Sequence, residues 1–279
     1  MKILGGVHKQ RLVGWRKIAN AVWDAPNDPQ IYGALDLDAA PALRFIAAAR
    51  ARGHHVTATH LVGRAIARAL VEVPDLNVRI FGDHAIARES VDVFFITSVR
   101  RRDLTGVKIV GVDAKSAIAV GVELDEQSRK LKSGNDREFA RTKRITDALP
   151  RPLLRRVLRF GSWLVGVRAR KLAAFGLMPS PFGSAMVSSV GMLGLPTGFS
   201  PLAWMYRVPL LVLVGEIVDR PVARDGRVEV GPVLPITATI DHRYVDGAQI
   251  AEALGAFRAY LAEPDAFEPR MEAPANASA

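Results

Sequence analysis

The sequence predicts an α/β layer fold with a mixed sheet, and three observations point to it. Apolar, β-branched runs of strand length, at 91–99 and 210–218 among others, read as buried strands. Between such runs lie segments whose apolar residues recur at three and four, as in Leu61, Ala65, Ile66, Ala69 and Leu70, which is one stripe of an amphipathic helix. The two kinds of segment follow one another without a regular βαβ repeat, so a layered fold with a mixed sheet is expected.

In chain order, residues 14–24 read as a short helix with Ile18, Ala19 and Val22 on one side, and 27–29 as a turn. Residues 31–37 alternate like a strand. Asp38 is placed to cap a helix over 39–52, which Gly53 stops. Thr57 or Thr59 opens a second helix through about Glu72, ended by Pro74. Short strands at 78–81 and 85–88 flank the turn Gly82-Asp83-His84. Residues 106–112 read as a strand and 115–132 as a helix. Later strands fall at 185–190, 210–218 and 234–240. A closing helix over 248–262 carries Ile250, Leu254, Phe257 and Leu261 along one side. No internal repeat is visible. Residues 263–279, rich in Pro, Ala and Glu, are expected to form a flexible tail, leaving 1–262 as a single domain.

Composition narrows the function classes. Nearly half of the 279 residues are apolar, which fits a globular chain with a sizeable core. Cysteine is absent, which excludes disulfides, a thiolate nucleophile and Cys-ligated metal. The first fifteen residues lack the apolar core of a secretory signal, and no apolar run has bilayer length, so a cytoplasmic location is expected. The net charge is +10, and residues 137–171 hold eleven Lys/Arg against two acids, Glu138 and Asp147. Phe139, Phe160 and Trp163 make no stacking pattern, which argues against nucleic acid. The block reads as a solvated helix face or as a surface for an anionic partner.

The chemistry centres on Asp241-His242-Arg243-Tyr244-Val245-Asp246-Gly247. An apolar strand ends there, and a helix begins at the Asp-Gly pair. A histidine at a strand end is held by rigid backbone, yet it can point into a cleft. Imidazole as a group can accept a proton without being permanently charged, so a histidine suits removal of a proton from a thiol or hydroxyl. Asp246 either caps the closing helix or holds an arginine that fixes the turn. Gly247 permits backbone angles that other residues avoid.

The segment Asp-His-Arg-x-x-Asp-Gly after an apolar strand resembles the signature of the 2-oxo acid dehydrogenase E2 acyltransferase catalytic domain. Met186-Val187-Ser188-Ser189-Val190-Gly191-Met192-Leu193-Gly194 is similar to that family's Phe-Thr-Ile-Ser-Asn/Ser-Leu-Gly-x-x-Gly. Pro74-Asp75-Leu76-Asn77, Arg16-Lys17-Ile18-Ala19, Asp113-Ala114-Lys115-Ser116 and the strand at 209–215 resemble further family segments. The matches run in the family's order over roughly residues 11–262. The resemblance implies the chloramphenicol acetyltransferase-like two-layer sandwich. It also implies acyl transfer between coenzyme A and a thiol such as dihydrolipoamide, or a small-molecule acceptor. His242 would be the general base, Ser188 would stabilise the tetrahedral oxyanion, and Asp246 would keep the turn rigid with Arg16 as candidate partner. Arg243 and Gly247 would support the site. The family's active sites lie between subunits of a trimer, so a homotrimer is expected. No metal is expected.

Departures from the family pattern leave the acceptor open. The chain carries no lipoyl domain of its own, so a separate lipoyl-bearing protein is the expected acyl carrier. Extra sequence at about 136–180 contains the basic block and reads as a helical cover or an interfacial helix for an anionic membrane. A catalytically inactive E2-like scaffold, or a membrane- or partner-binding protein, is the alternative. His54, His55 and His60 have no carboxylate at ligand spacing and read as surface or capping residues, while His8 and His84 fall in loops.

Overall fold

Residues 29–81, 83–99, 103–132, 151–168, 180–202, 207–224 and 226–269 are described in this computed structural model. The expected helix at 14–24, with Arg16, lies outside the described residues, as do His8 and much of the basic insert. The described chain opens with strand β1 (Gln30–Asp38) and helices α1 (Ala40–Ala51) and α2 (Ala58–Glu72). A hairpin of β2 (Val78–Phe81) and β3 (His84–Ala87) precedes β4 (Val93–Val99) and β5 (Asp103–Ile109). Helices α3 (Ala117–Lys132) and α4 (Arg151–Ser162) lead to β6 (Ala185–Ser189), β7 (Leu210–Val214), β8 (Val218–Arg224) and β9 (Arg227–Asp241). Helix α5 (Gly247–Ala262) and the single turn α6 (Pro264–Phe267) close it.

Seven strands form one sheet in the order β1-β9-β7-β6-β4-β5, with β8 beside the first half of β9. Strand β6 runs parallel to β4 and β7, and the other pairs are antiparallel, so the sheet is mixed as expected. One face is covered by α1, α2 and α5. Phe45, Leu61, Ile66, Leu70, Val187, Val212, Leu234 and Ile236 are buried between the two layers. Gly63 lets α2 lie directly on the sheet, because a Cβ there would collide with the Phe95 ring. A smaller apolar cluster of Met186, Val208, Leu211 and Leu213, with Phe94, Ile96 and Leu202, occupies the other face.

Most element boundaries match the sequence reading, and the exceptions have local causes. Strand β7 stops at Val214, four residues early, because Gly215 is pressed against the backbone of Pro196 and Pro235 and donates its N–H to Pro235 O at 2.9 Å. Strand β8 and the first half of β9 contain Pro221 and Pro232, which break the strand signal in the sequence. Strand β5 ends at Ile109 rather than 112, because Gly111 turns the chain at φ +60°. His84, expected in a loop, is the first residue of β3.

The start of the expected tail is instead part of the core. Glu268 is buried and accepts three hydrogen bonds: from Arg64 Nε at 2.9 Å, from the Tyr260 hydroxyl at 2.6 Å and from Ala117 N–H at 2.6 Å. Arg64 also donates to the carbonyls of Val112 and Asp113, at 2.6 and 3.0 Å. This cluster ties α2, α5 and the N-terminus of α3 together. Burial raises the Tyr260 hydroxyl pKa, and the Glu268 carboxylate beside it pushes the same way.

Thr57 and His60 form a reciprocal cap on α2, with the Thr57 N–H donating to His60 Nδ1 at 3.3 Å. His60 is therefore a capping residue, as expected, but a buried one. His55, beside it, meets Asp125 at 2.7 Å, a carboxylate that the chain folding and not the sequence spacing supplies. Burial lowers the His60 pKa from 6.5 to about 4. A depressed histidine pKa means that the unfolded chain takes up a proton that the folded chain refuses. Stability should therefore fall as pH drops from about 6.5 to about 4, by about 3 kcal/mol in total. Urea unfolding across that window checks this, and His60→Asn should flatten the slope.

Candidate active site

The turn after β9 is held from both sides. Asp241 N–H donates to Pro209 O and His242 N–H to Pro29 O, each at 2.8 Å. Asp241 is buried, and its carboxylate accepts from Arg243 N, Nε and Nη2 at 3.0, 2.9 and 2.5 Å. This hydrogen bonding raises the Arg243 pKa above its ordinary value. The His242 ring is exposed, and its Nδ1 lies 2.7 Å from Val245 O. A carbonyl oxygen only accepts, so Nδ1 carries the hydrogen, and in the neutral ring Nε2 keeps its lone pair. The turn thus presents a histidine of defined tautomer with its basic nitrogen turned away from the backbone.

Asp246 begins α5 as a cap. Its Oδ1 accepts from Ala248 N–H at 2.9 Å, and its own N–H donates to Gln249 Oε1 at 3.0 Å. Of the two roles open in the sequence, the described residues place it in the capping one, and Arg16 lies outside them. Gly247 is a correction. It is the first residue of α5, is not among the glycines with positive φ, and a Cβ there would meet nothing within 4 Å. Unusual backbone angles therefore do not explain it.

A second layer stands behind the turn that the sequence did not reveal. Tyr244 is largely buried, which raises its hydroxyl pKa, and the hydroxyl meets the backbone of Ile80 in β2. Arg88 donates to Val78 O at 3.2 Å and to Arg207 O at 3.0 Å, and burial lowers its pKa to about 10. Arg207 adopts a left-handed φ of 54°, strained for a residue with a side chain, and donates to Ser162 Oγ at 3.2 Å. The end of α4 is thereby joined to the turn of His242 through Arg207, Arg88 and Tyr244. Arg88, Ser162 and Arg207 share no local motif with the turn, so no sequence spacing signals them.

Ser188 lies elsewhere. It pairs with Leu213, and Leu213 pairs with Thr237, so Ser188 stands level with a β9 residue five positions before His242. Two strand spacings across and five residues along place the backbones of Ser188 and His242 about 19 Å apart. The fold therefore brings Asp241, His242, Arg243 and Asp246 together and leaves Ser188 apart. By strand alternation Ser188 shares the face of Met186, the face opposite the helices. The segment after it is fixed by Thr237 and Thr239, whose hydroxyls donate to Gly198 O and Ser200 O at 2.5 and 2.7 Å. Gly191 is there because a Cβ would collide with Gly215 O and Glu216 N, so the ends of β6 and β7 cross at backbone contact.

A cavity of about 130 Å³ lies between the sheet and helices α2 and α5. It reaches Leu210, Ile240 and Ile250 near the turn, but apolar residues line it throughout, and it offers no group for acid–base chemistry. Among the described residues, no group of three or more His, Asp or Glu side chains is arranged to hold a metal ion.

Residues 177–268 match the family model described as 2-oxoacid dehydrogenases acyltransferase (catalytic domain). That stretch is similar to the E2 acyltransferase catalytic domain. It holds Ser188, the His242 turn and Glu268 alike. The chain is 26% identical over 246 residues to the dihydrolipoyllysine-residue acetyltransferase component of the pyruvate dehydrogenase complex of Rhizobium meliloti, covering 85% of this chain and 45% of that protein. It thus spans less than half the length of that relative. Among solved structures, a probable dihydrolipoamide acetyltransferase from Listeria monocytogenes aligns with TM-score 0.63 at 20% identity, covering 92% of this chain and 95% of that one. The dihydrolipoamide acetyltransferase of Azotobacter vinelandii aligns with TM-score 0.62 at 22% identity, covering 86% and 84%. The fold is that of the E2 acyltransferase catalytic cores.

Proposed function

We propose that the protein transfers an acyl group between coenzyme A and a thiol of the dihydrolipoamide type, or a small-molecule acceptor. His242 Nε2 takes the proton of the acceptor thiol as its sulfur attacks the thioester carbonyl. The carbonyl becomes a tetrahedral oxyanion, which needs a preorganised donor. Collapse breaks the bond to the coenzyme A sulfur, and the departing thiolate takes the proton back from His242. The observation that carries this reading is the Nδ1 contact to Val245 O, which leaves Nε2 as the basic atom. In the Azotobacter vinelandii enzyme, a serine, a histidine and an asparagine four residues after that histidine were investigated for their role in the catalytic mechanism. Here the same order reads Ser188, His242 and, four residues on, Asp246, with a carboxylate in place of the amide.

A separation of about 19 Å is too long for Ser188 and His242 of one copy to act on one carbonyl. The oxyanion donor is therefore Ser188 of a neighbouring copy, in a cyclic homotrimer with its sites between subunits. Supporting this, Met192 and Leu193, just after Ser188, are 85% and 73% exposed, and Phe199 also faces outward. Apolar residues so placed suit a second copy. Mixing the protein with acetyl-CoA and dihydrolipoamide should yield the acyl-lipoamide thioester and free coenzyme A, at about 1–10³ turnovers per second. Binding of acetyl-CoA without turnover would instead support an inactive scaffold.

A further inference from the structure

Helix α4 has an outward apolar face that the proposed chemistry does not use. Leu153, Val157 and Phe160 are 46%, 44% and 63% exposed. At the helical step of 100° per residue they fall within about 60° of one another, one above the next. The exposed arginines Arg156 and Arg159 run along one flank of this row. The helix sequence holds four arginines and no acid, within a block that carries nine net positive charges between residues 137 and 171. Its C-terminal root is anchored to the body. Val165 is buried, Ser162 accepts from Arg207, and the Arg168 guanidinium lies 4.6 Å from the Phe81 ring centroid and 5.2 Å from that of Trp163. The helix is therefore held at one end beside the His242 turn, while its outward face presents Leu, Val and Phe beside arginines.

Charge decides what suits this face. A second copy of the chain brings net charge +10 and the same arginines, so like charges would meet. A nucleic-acid groove rewards the arginines but not a row of Leu, Val and Phe. An anionic lipid surface takes both, with apolar side chains entering the headgroup boundary and arginines pairing with phosphates. We propose that α4 docks this protein on anionic membrane surfaces, lying in the plane of the interface. No described helix is long and apolar enough to cross a membrane, so the contact is peripheral. Docking would place the root of α4, and through Arg207 the His242 turn, beside the lipid surface.

Co-sedimentation of the full chain with vesicles tests this. Vesicles of phosphatidylcholine with about one-third phosphatidylglycerol should bind the protein roughly tenfold more tightly than phosphatidylcholine alone, and high salt should remove the difference. Leu153→Asp with Phe160→Asp should abolish binding, and Arg156→Glu with Arg159→Glu should abolish the preference for anionic lipid. All should retain the parent's circular dichroism and acyl-transfer activity, since these side chains are solvent-facing. Failure to bind anionic vesicles would overturn the proposal and mean that protein covers this face. Binding that ignores lipid charge, or that survives both pairs of substitutions, would overturn it equally, as would tighter binding to DNA than to vesicles.

Discussion

Replacing His242 by Ala should lower kcat for acyl transfer by about 10²–10⁴-fold, the usual contribution of a positioned general base. KM for acetyl-CoA should stay within a few-fold, because a proton acceptor acts in the transition state and not in ground-state binding. The melting temperature should barely move. The ring is exposed and makes one hydrogen bond, to Val245 O, worth about 1 kcal/mol net. The turn itself is held by backbone donors to Pro29 and Pro209 and by the Asp241–Arg243 pair, none of which needs the imidazole. Steady-state kinetics with thermal unfolding on the same samples separate the two effects. A folded variant that keeps full activity would remove His242 from the mechanism.

Glu268→Ala should cost about 3–5 kcal/mol of stability. The Glu268 side chain is 2% exposed and that of Arg64 is 11% exposed. Removing the carboxylate strands the Arg64 guanidinium, the Tyr260 hydroxyl and the Ala117 N–H in a site that water does not reach freely. The N-terminus of α3 also loses the anion that caps it. Urea denaturation measures the loss. Glu268→Gln should cost less, because the amide oxygen still accepts, though it cannot neutralise Arg64. A loss under 1 kcal/mol for Glu268→Ala would show that the cluster does not hold the C-terminus to α2 and α3.

How much of this was legible beforehand depended on whether the signal was local. The helical stripe of α2, the strand at β6 and the Asp-His-Arg-x-x-Asp-Gly turn are written in adjacent residues, and they fall where expected. Strand β8 was hidden by Pro221, which an edge strand tolerates because its backbone need not donate inward. Glu268 sits in a Pro- and Glu-rich stretch whose composition looks like a tail, and only its contact with Arg64, 204 residues earlier, makes it core. Arg88, Arg207 and Tyr244 meet behind the turn from three separate strands and loops, so no spacing could have grouped them. The separation of Ser188 from His242 was equally hidden, since strand register and not sequence order sets it.

That separation is the centre of the account, and mixed trimers test it most directly. Ser188→Ala and His242→Ala copies, each nearly inactive alone, are unfolded, mixed in equal amounts and refolded together. If each site takes His242 from one copy and Ser188 from the next, about one quarter of the sites in random cyclic trimers are intact, and about one quarter of wild-type activity should return. Activity no higher than the average of the two separate variants would mean that both residues act within one chain, or that Ser188 does not act at all, and would contradict the shared site.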